Sequence, residues 1–189
     1  TPMKKEALIT EVEILRVLNG ECFTLQLMAV YESPSMIYMI TEYCEGGEMM
    51  PWVSMAFANQ QQQSPLLGNG GSGGAGLRTE DVSRIAYQLW SAVQHCAKHK
   101  VIHRDIKPEN VLISSSYVLK ISDFGVSKPT QPTGSFSVTS GPQGTKTYFA
   151  PEYLRLEHQE SEERKNIRAD KSIDIFSLGC LFFTYIMRK

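Results

Sequence analysis

The stretch VIHRDIKPENVLI, residues 101–113, sets a charged loop between two short apolar runs. The flanking runs, Val101–Ile102 and Val111–Ile113, have the composition of short buried strands. The charged side chains between them are those of Arg104, Asp105, Lys107 and Glu109. Because charge is costly to place beside a buried core, we expect a loop of this composition to perform chemistry.

The residues around a predicted β-hairpin indicate which chemistry this is. Two short apolar strands are joined by the serines at 114–116, so the residues that flank the hairpin, Asn110 and Asp123, should lie side by side. Amide and carboxylate oxygens are ligands that suit Mg²⁺. Asp105 would face the same point as a proton acceptor, and Lys107 would add positive charge. A metal, a base and a cation are what the transfer of a phosphoryl group requires.

Composition narrows the class of protein. The 189 residues are enough for one domain and carry a net charge of −1, so we expect neither a nucleic acid nor a membrane as a partner. The four cysteines form no CxxC pair, which favours reduced thiols and a cytoplasmic location. The longest apolar stretch, residues 173–187, contains Asp174 and is too short for a membrane span.

Apolar periodicity predicts three helices, over residues 3–18, 79–97 and 172–187. Residues 25–43 predict two strands joined by a turn at 32–35.

Two segments have the composition of insertions. Residues 58–77 are rich in glutamine and glycine and cannot bury enough surface to offset chain entropy, which predicts a flexible low-complexity insertion. Residues 155–171 are dominated by charged side chains, which predicts a solvated, charged insertion.

Three motifs occur in an order and spacing that resemble eukaryotic protein kinases. They are HRDIKPEN at residues 103–110, DFG at 123–125 and APE at 150–152. The resemblance implies an α+β, protein-kinase-like fold with two lobes, of which the larger is mostly helical and carries short β-hairpins. It also implies ATP and Mg²⁺ as cofactors and transfer of the γ-phosphoryl group to a hydroxyl of a protein substrate. The DxKPEN form is typical of the serine/threonine type.

The resemblance assigns roles to individual residues of the charged loop. Asp105 would accept or orient the proton of the substrate hydroxyl, and Lys107 would steady the transferred phosphoryl group. Asn110 completes the catalytic set and would hold Mg²⁺ together with Asp123. Arg104 would bind a phosphorylated residue of the segment that follows.

Other matches concern the nucleotide. Thr41 corresponds to the residue at the back of the adenine pocket, and Glu42 and Cys44 belong to the hinge whose backbone groups would bind adenine. Leu112 would pack under the adenine ring. Glu48 would contact the ribose or a basic substrate side chain. Each of these residues also has a plain structural alternative, namely a strand end, a core position or a charge at the start of a helix.

Two further matches concern the architecture around the site. An apolar column that would link the lobes is represented by Leu15, Leu27, His103 and Phe124. Asp174 resembles the aspartate that hydrogen-bonds the backbone of the catalytic loop, which would explain a carboxylate at the start of an apolar helix.

The resemblance divides the chain into a small-lobe remnant and most of a large lobe. Residues 1–43 would hold helix C and two strands, and residues 44–189 the large lobe through its central helix. Glu11 resembles the helix C glutamate that pairs with an ATP-positioning lysine, although the neighbouring Glu13 shows that surface carboxylates are common here. No glycine-rich loop and no such lysine are recognisable. We therefore expect a partial domain, truncated at both ends, that has weak or no activity by itself.

Residues 123–152 resemble the activation segment. Hydroxyl side chains at 133–140 would be sites for an upstream kinase, whereas Thr145 matches a threonine that lies near the substrate hydroxyl. The motif DFGVSK, residues 123–128, and the insertion at 155–171 together resemble, faintly, the calmodulin-dependent kinase-kinase branch.

Two alternatives stay open. The first is a pseudokinase or truncated kinase-like module that binds partners without catalysis, against which Asp105, Asn110 and Asp123 argue. The second is a phosphotransferase of the same fold that acts on small molecules, whereas APE and the segment rich in serine and threonine favour a protein substrate. An upstream reading frame with a glycine-rich loop and a strand lysine would favour the kinase.

Overall fold

The computed structural model describes residues 2–34, 36–58, 77, 79–131, 134–137, 141–159 and 168–187. The predicted insertion at 58–77 lies almost wholly outside the described residues, as do residues 160–167 of the predicted charged insertion and residues 133 and 138–140 of the predicted phosphorylation region. Within the described part, none of the helices is long and apolar enough to cross a membrane.

The first helix and the first two strands agree with the sequence pattern. Helix α1 spans Pro2–Leu18 and is followed by strands β1 (Leu27–Glu32) and β2 (Ile37–Thr41), which pair antiparallel. The predicted turn between the strands is closed by a hydrogen bond from the Ser33 amide to the Met36 carbonyl, 2.8 Å long. The two strands therefore form a hairpin that ends at the predicted hinge.

The helical part of the chain begins after this hairpin. Strand β3 (Gly47–Glu48) leads into α2 (Met49–Ala58), and α3 (Thr79–Lys98) confirms the second predicted helix. The buried apolar residues of α3 recur at helical spacing and are Ile85, Leu89, Ala92, Val93 and Cys96. Strand β4 (Val101–Ile102) follows and leads into the charged loop.

The predicted hairpin after the charged loop is confirmed. Strands β5 (Val111–Ile113) and β6 (Leu119–Ile121) pair antiparallel, and β3 extends this sheet on the other edge of β5. The Ser122 amide donates to the Asn110 carbonyl over 2.9 Å, which continues the pairing beyond the strand ends. The backbone of Asn110 therefore lies beside that of Asp123, as the sequence predicts.

Strand β3 and three further strands were not predicted. Strand β7 (Lys128–Pro129) pairs with β4, and β8 (Ser135–Ser137) pairs with β9 (Arg168–Asp170), all antiparallel. The sequence pattern assigned β8 to an unstructured Ser/Thr-rich segment and β9 to a solvated run of charges. Strands of two or three residues are stable here only because each finds a partner distant in the sequence, which periodicity cannot reveal.

Two helices end the described part of the chain, and the buried apolar residues form two cores. Helix α4 (Pro151–Arg155) is short, and α5 (Ser172–Met187) has the bounds of the third predicted helix. The larger apolar core joins α1, α3, α5 and the hairpin, with Leu15, Leu18, Leu89, Ile113 and Leu181 among its most buried members. A second core consists of Ile102, Phe136, Phe149, Ala150, Tyr153, Leu156, Ala169 and Ile173.

A carboxylate at the start of α5 fixes the backbone of the charged loop. Asp174 is only 2% exposed, and its two oxygens accept hydrogen bonds from the amides of His103 (2.7 Å) and Arg104 (2.8 Å). Arg104 has a φ of +70°, a left-handed conformation that costs energy for a residue with a side chain. The contact that the resemblance implied for Asp174 is therefore confirmed, and it holds the loop in an uncommon conformation.

We predict that Asp174→Ala lowers the free energy of unfolding by about 3 kcal/mol, because each buried amide left unpaired costs about 1–3 kcal/mol. Urea unfolding of the purified protein would measure this change. Asp170→Ala is the matched control, since Asp170 caps the same helix through the Ser172 amide but is exposed. A loss for Asp174→Ala no greater than that of the control would contradict the anchoring role.

Candidate active site

His103 couples the charged loop to the end of the β5–β6 hairpin. The Asp105 amide donates to Nδ1 of His103 over 3.2 Å, so Nδ1 is the acceptor and Nε2 carries the hydrogen that is donated to the Ser122 carbonyl, 3.0 Å away. The imidazole also lies edge-on to the Phe124 ring, with centroids 4.7 Å apart. His103 is thus a buried packing and hydrogen-bonding residue that fixes the loop relative to the hairpin.

The predicted apolar column is found in one core. Leu15, Leu27 and Phe124 are all buried in the larger cluster, and His103 contacts Phe124 as described above. Helix α1 therefore packs, through Leu15, in the same cluster as the residue that follows Asp123.

The carboxylate of Asp105 is surrounded by hydrogen-bond donors. Its Oδ2 lies 2.8 Å from Nζ of Lys107 and accepts from Nδ2 of Asn110 over 3.2 Å. Its Oδ1 accepts from the Thr145 amide over 2.7 Å. Burial raises the pKa of Asp105, but the bonds from Lys107 and Thr145 and the charge of Lys107 outweigh burial and leave the pKa below its ordinary value. Asp105 is therefore ionised at neutral pH and rigidly held.

Asn110 and Asp123 provide oxygen atoms at the base of the hairpin. Both hydrogen bonds from Nδ2 of Asn110 go to Asp105, one to its carbonyl over 2.9 Å, which leaves Oδ1 of Asn110 as the uncommitted atom of the amide. Asp123 is exposed, has a φ of +61° and accepts from the Gly125 amide over 3.3 Å. An amide and a carboxylate oxygen are ligands that suit Mg²⁺, so these two residues fit the implied metal.

Glu11 lies beside the same carboxylate. A Cβ built on Gly125 would be 3.2 Å from Oδ1 of Asp123 and 3.6 Å from Oε2 of Glu11, so the two carboxylates flank this glycine. Burial raises the pKa of Glu11, and the charge of Asp123 adds to this effect, whereas a hydrogen bond from the Phe124 amide opposes it. The two carboxylates on either side of Gly125 create a region of negative potential, and a bound cation would stabilise it. In the described part of the chain, no cluster of three or more His, Cys, Asp or Glu residues forms a metal site by itself.

The residues predicted to contact the nucleotide lie on the strand ends around the hinge. Thr41 ends β2, and the Glu42 amide that follows donates to the Gln26 carbonyl over 2.9 Å. The Cys44 carbonyl accepts from the Gly47 amide over 3.0 Å, and the Cys44 side chain is buried.

Two of these residues face each other across the sheet. Leu112 is half-buried on β5, opposite the exposed Glu48 on β3. The structure thus places both at one end of the hairpin sheet.

The side chain of Glu42 has a role that the sequence did not suggest. Its Oε1 lies 2.8 Å from Nζ of the buried Lys120 on β6 and accepts from the Gln26 amide over 2.7 Å. Nζ of Lys120 also donates to the Cys22 carbonyl over 2.8 Å. This buried ion pair ties the hinge to the hairpin that ends at Asp123. The only sequence signal was a lysine within an otherwise apolar strand.

A turn that contains Gly144 closes the site over Asp105, and no sequence motif indicated this role. Gly144 has a φ of +117°, and a Cβ there would lie 2.3 Å from the Arg104 carbonyl and 3.2 Å from Oδ1 of Asp105. The next residue, Thr145, accepts a hydrogen bond at Oγ1 from Nζ of Lys107 over 3.0 Å. Only glycine permits this close approach, which brings Thr145 against both Lys107 and Asp105.

Arg104 was expected to bind a phosphorylated residue. In the structure its guanidinium is buried and contacts neutral groups, namely the Val126 carbonyl, the Gln143 side chain and the Phe136 ring. The expectation concerns a phosphorylated chain and stays a prediction.

Comparison with known proteins decides the family. The family model described as the protein kinase domain matches residues 1–189. The chain belongs to the protein kinase family. It is 33% identical over 180 residues to the serine/threonine-protein kinase cds1 of Schizosaccharomyces pombe, covering 93% of this chain and 33% of that protein. It is 30% identical over 193 residues to the serine/threonine-protein kinase Nek2 of Mus musculus, covering 97% and 37%.

A plant relative is similar as well. The carbon catabolite-derepressing protein kinase of Secale cereale is 28% identical over 188 residues, which cover 98% of this chain and 31% of that protein. The chain thus spans about a third of the length of these curated relatives. Membership of the protein kinase family confirms the α+β, two-lobed fold that the motifs implied, and the family generally uses ATP and Mg²⁺. None of the three relatives tests the resemblance to the calmodulin-dependent kinase-kinase branch.

For this protein kinase we predict that Gly144→Ala lowers kcat/KM by about 100-fold, because displacing a reacting geometry by about 1 Å has an effect of that size. The added methyl group would push the turn away from the Arg104 carbonyl and from Asp105. Steady-state kinetics of the protein expressed from its complete open reading frame would measure the loss. Gly134→Ala is the matched control, because Gly134 has a φ of +79° but open space around its Cβ position. Equal losses in the two variants would disprove the close-approach argument.

We also predict that Lys107→Met raises the pKa of Asp105, because burial then acts on this carboxylate without the opposing charge. Activity that requires ionised Asp105 is lost as the pH falls through its pKa, so the acidic limb of the kcat/KM profile should move to higher pH by about 1–3 units. Lys146→Met is the control, since Lys146 directly follows Thr145, whose amide donates to Asp105, but the Lys146 side chain pairs with Glu157. An acidic limb that stays in place in Lys107→Met would show that Lys107 does not set this pKa.

Proposed function

We propose that the protein is an ATP-dependent serine/threonine protein kinase that transfers the γ-phosphoryl group of Mg-ATP to a hydroxyl of a protein substrate. The observation that supports this most directly is the environment of Asp105. Its carboxylate is ionised, is held by Lys107, Asn110 and Thr145, and lies at the base of the hairpin that presents Asn110 and Asp123.

Each side chain would have a distinct task in the transfer. Asp105 accepts a hydrogen bond from the substrate hydroxyl and orients its oxygen for attack. Lys107 stabilises negative charge on the transferred phosphoryl group. Asn110 and Asp123 would hold Mg²⁺ through Oδ1 and a carboxylate oxygen, respectively. When bound, Mg-ATP supplies the phosphoryl group and the cation that neutralises its charge.

The proposal assigns the nucleotide to the hinge side of the site. Thr41 would lie behind the adenine, Glu42 and Cys44 would bind it through their backbone, and Leu112 would pack beneath it. Glu48 would contact the ribose or a basic side chain of the substrate. This assignment rests on the position of these residues at the end of β2 and on the β3–β5 sheet.

Helix α1 would contribute Glu11 as the glutamate that pairs with a cation near the phosphates. In the same assignment, residues 1–43 form the small-lobe part and residues 44–189 the large-lobe part. The segment at 123–152 would receive the protein substrate, and an upstream kinase would act on hydroxyls at 133–140. The cytoplasm is the proposed location.

One observation favours a second candidate, a kinase-like module that binds partners without catalysis. Among the described residues, the charged group that acts on Glu11 is Asp123, which carries the same sign. A site that lacks a balancing cation at this point would align the phosphates of a nucleotide poorly.

We predict that Asp105→Asn lowers kcat by at least about 100-fold, because the substrate hydroxyl loses its acceptor. Affinity for ATP should stay within about twofold, since Asp105 contacts the substrate rather than the nucleotide. The measurements are phosphoryl transfer to a generic Ser/Thr substrate and nucleotide binding, with the protein expressed from its complete open reading frame. Glu13→Gln, an exposed position on α1, is the control. Equal transfer by wild type and Asp105→Asn would contradict the role of Asp105, whereas transfer by neither would favour the binding module.

A further inference from the structure

The guanidinium of Arg104 is buried without an anionic partner. Arg104 is 4% exposed, and among the described residues no ion pair to its side chain is found. Nη2 donates to the Val126 carbonyl and to Oε1 of Gln143 (3.2 Å), and the Tyr153 hydroxyl accepts another hydrogen bond from the guanidinium; within the described part of the chain, Nε has no acceptor. The charge of Asp174, which accepts from the Arg104 backbone amide, favours the cationic guanidinium, but the groups hydrogen-bonded to the guanidinium are neutral, so a further contact can add stabilisation.

An aromatic ring supplies this stabilisation. Cζ of Arg104 lies 5.2 Å from the centroid of the Phe136 ring, within the range of a cation–π contact, and Phe136 is only 3% exposed. Desolvation strengthens such a contact, because water no longer competes for the cation. The Phe136 ring therefore occupies the position beside Arg104 where an anion would otherwise be expected.

Phe136 is itself held from two directions. Its strand, β8, pairs with β9, so that Phe136 lies opposite Ala169. Its side chain belongs to the second core, which also contains Tyr153 and Ile173. A ring fixed by backbone pairing and by packing can fix the guanidinium that lies against it.

Arg104 in turn restrains the residues that face the Asp105 carboxylate. Oε1 of Gln143 accepts from Arg104, and the Gln143 amide donates to the Tyr153 hydroxyl over 3.0 Å. Two residues further on, the Thr145 amide donates to Oδ1 of Asp105. The turn at 143–145 is therefore held at one end by Arg104 and at the other by Asp105.

We propose that Phe136 is a positioning residue: through the Arg104 guanidinium it holds the turn at 143–145 against Asp105 without phosphorylation of the segment. The inference rests on the proposed kinase function only in those of its tests that measure kinase activity. In this proposal, the cation–π contact and the pairing of β8 with β9 suffice to hold the turn at 143–145, so a phosphate is not required there.

The first experiment uses protein expressed from its complete open reading frame and treated with phosphatase, with mass spectrometry to establish that the segment carries no phosphate. Wild type should keep kcat/KM within about twofold of the untreated protein, whereas Phe136→Ala should lose about tenfold or more. Phe136→Tyr keeps the ring and should restore activity, whereas Phe136→Leu keeps the apolar volume and should not. Loss of wild-type activity on dephosphorylation would overturn the proposal.

A double-mutant cycle separates action through Arg104 from general packing. In an Arg104→Met background, Phe136→Ala should have little further effect on kcat/KM, because the group through which it acts is gone. Leu156→Ala is the matched control: Leu156 is buried in the same core, and its effect should simply add to that of Arg104→Met. Additive effects of Phe136→Ala and Arg104→Met would overturn the proposal.

Hydrogen exchange keeps the test independent of activity. In the phosphate-free wild type, the amides of Thr145 and Phe149 should be protected, and Phe136→Ala should remove protection there while Leu156→Ala should not. Unprotected amides in the wild type would refute the positioning role even if phosphoryl transfer is observed. Protected amides without phosphoryl transfer would support the positioning role of Phe136 and would contradict only the proposed kinase function.

Discussion

The two hydrogen bonds that Asp174 accepts from the amides of His103 and Arg104 are the constraint on which the site depends. Burial raises the pKa of Asp174, which reflects the loss of solvation that the carboxylate suffers inside the protein. The two amides offset part of that cost, and they in turn are held where Arg104 adopts a left-handed conformation. Because α5 belongs to the main core, this pair of bonds joins the loop to the closely packed interior of the protein.

The geometry of Asp105 follows from this anchoring. His103, fixed by Asp174, accepts the Asp105 amide at Nδ1, and the Asp105 carboxylate then meets donors from Lys107 and Thr145. A carboxylate whose pKa lies below its ordinary value is a weak base, but it stays ionised and its bonds to Lys107 and Thr145 fix its orientation. Phosphoryl transfer needs little proton abstraction early in the reaction, so orientation of the nucleophile is the more useful contribution. The arrangement suits that task better than it would suit strong base catalysis.

Much of this could be predicted from the sequence because the information is local. The hairpin that brings Asn110 and Asp123 together is formed by adjacent strands, and the bounds of α5 follow from its apolar composition. The pairing of β8 with β9 could not be predicted, since it depends on segments more than thirty residues apart and on one buried ring, Phe136, within a Ser/Thr-rich stretch. The Lys120–Glu42 ion pair was missed for the same reason, because it joins residues far apart in the chain.

The two halves of the site differ in how far their charges are balanced. On the substrate side, Asp105 has a lysine, an amide side chain and a backbone amide as partners. Near Asp123, burial raises the pKa of Glu11, and the charge of the exposed Asp123 adds to this effect. Exposure of Asp123 to solvent weakens the repulsion between the two carboxylates, and a cation that binds beside them would relieve it. In the proposed site, the half around Asp105 would therefore be organised by the described residues themselves, whereas the half around Asp123 would be electrostatically balanced only when a cation is bound.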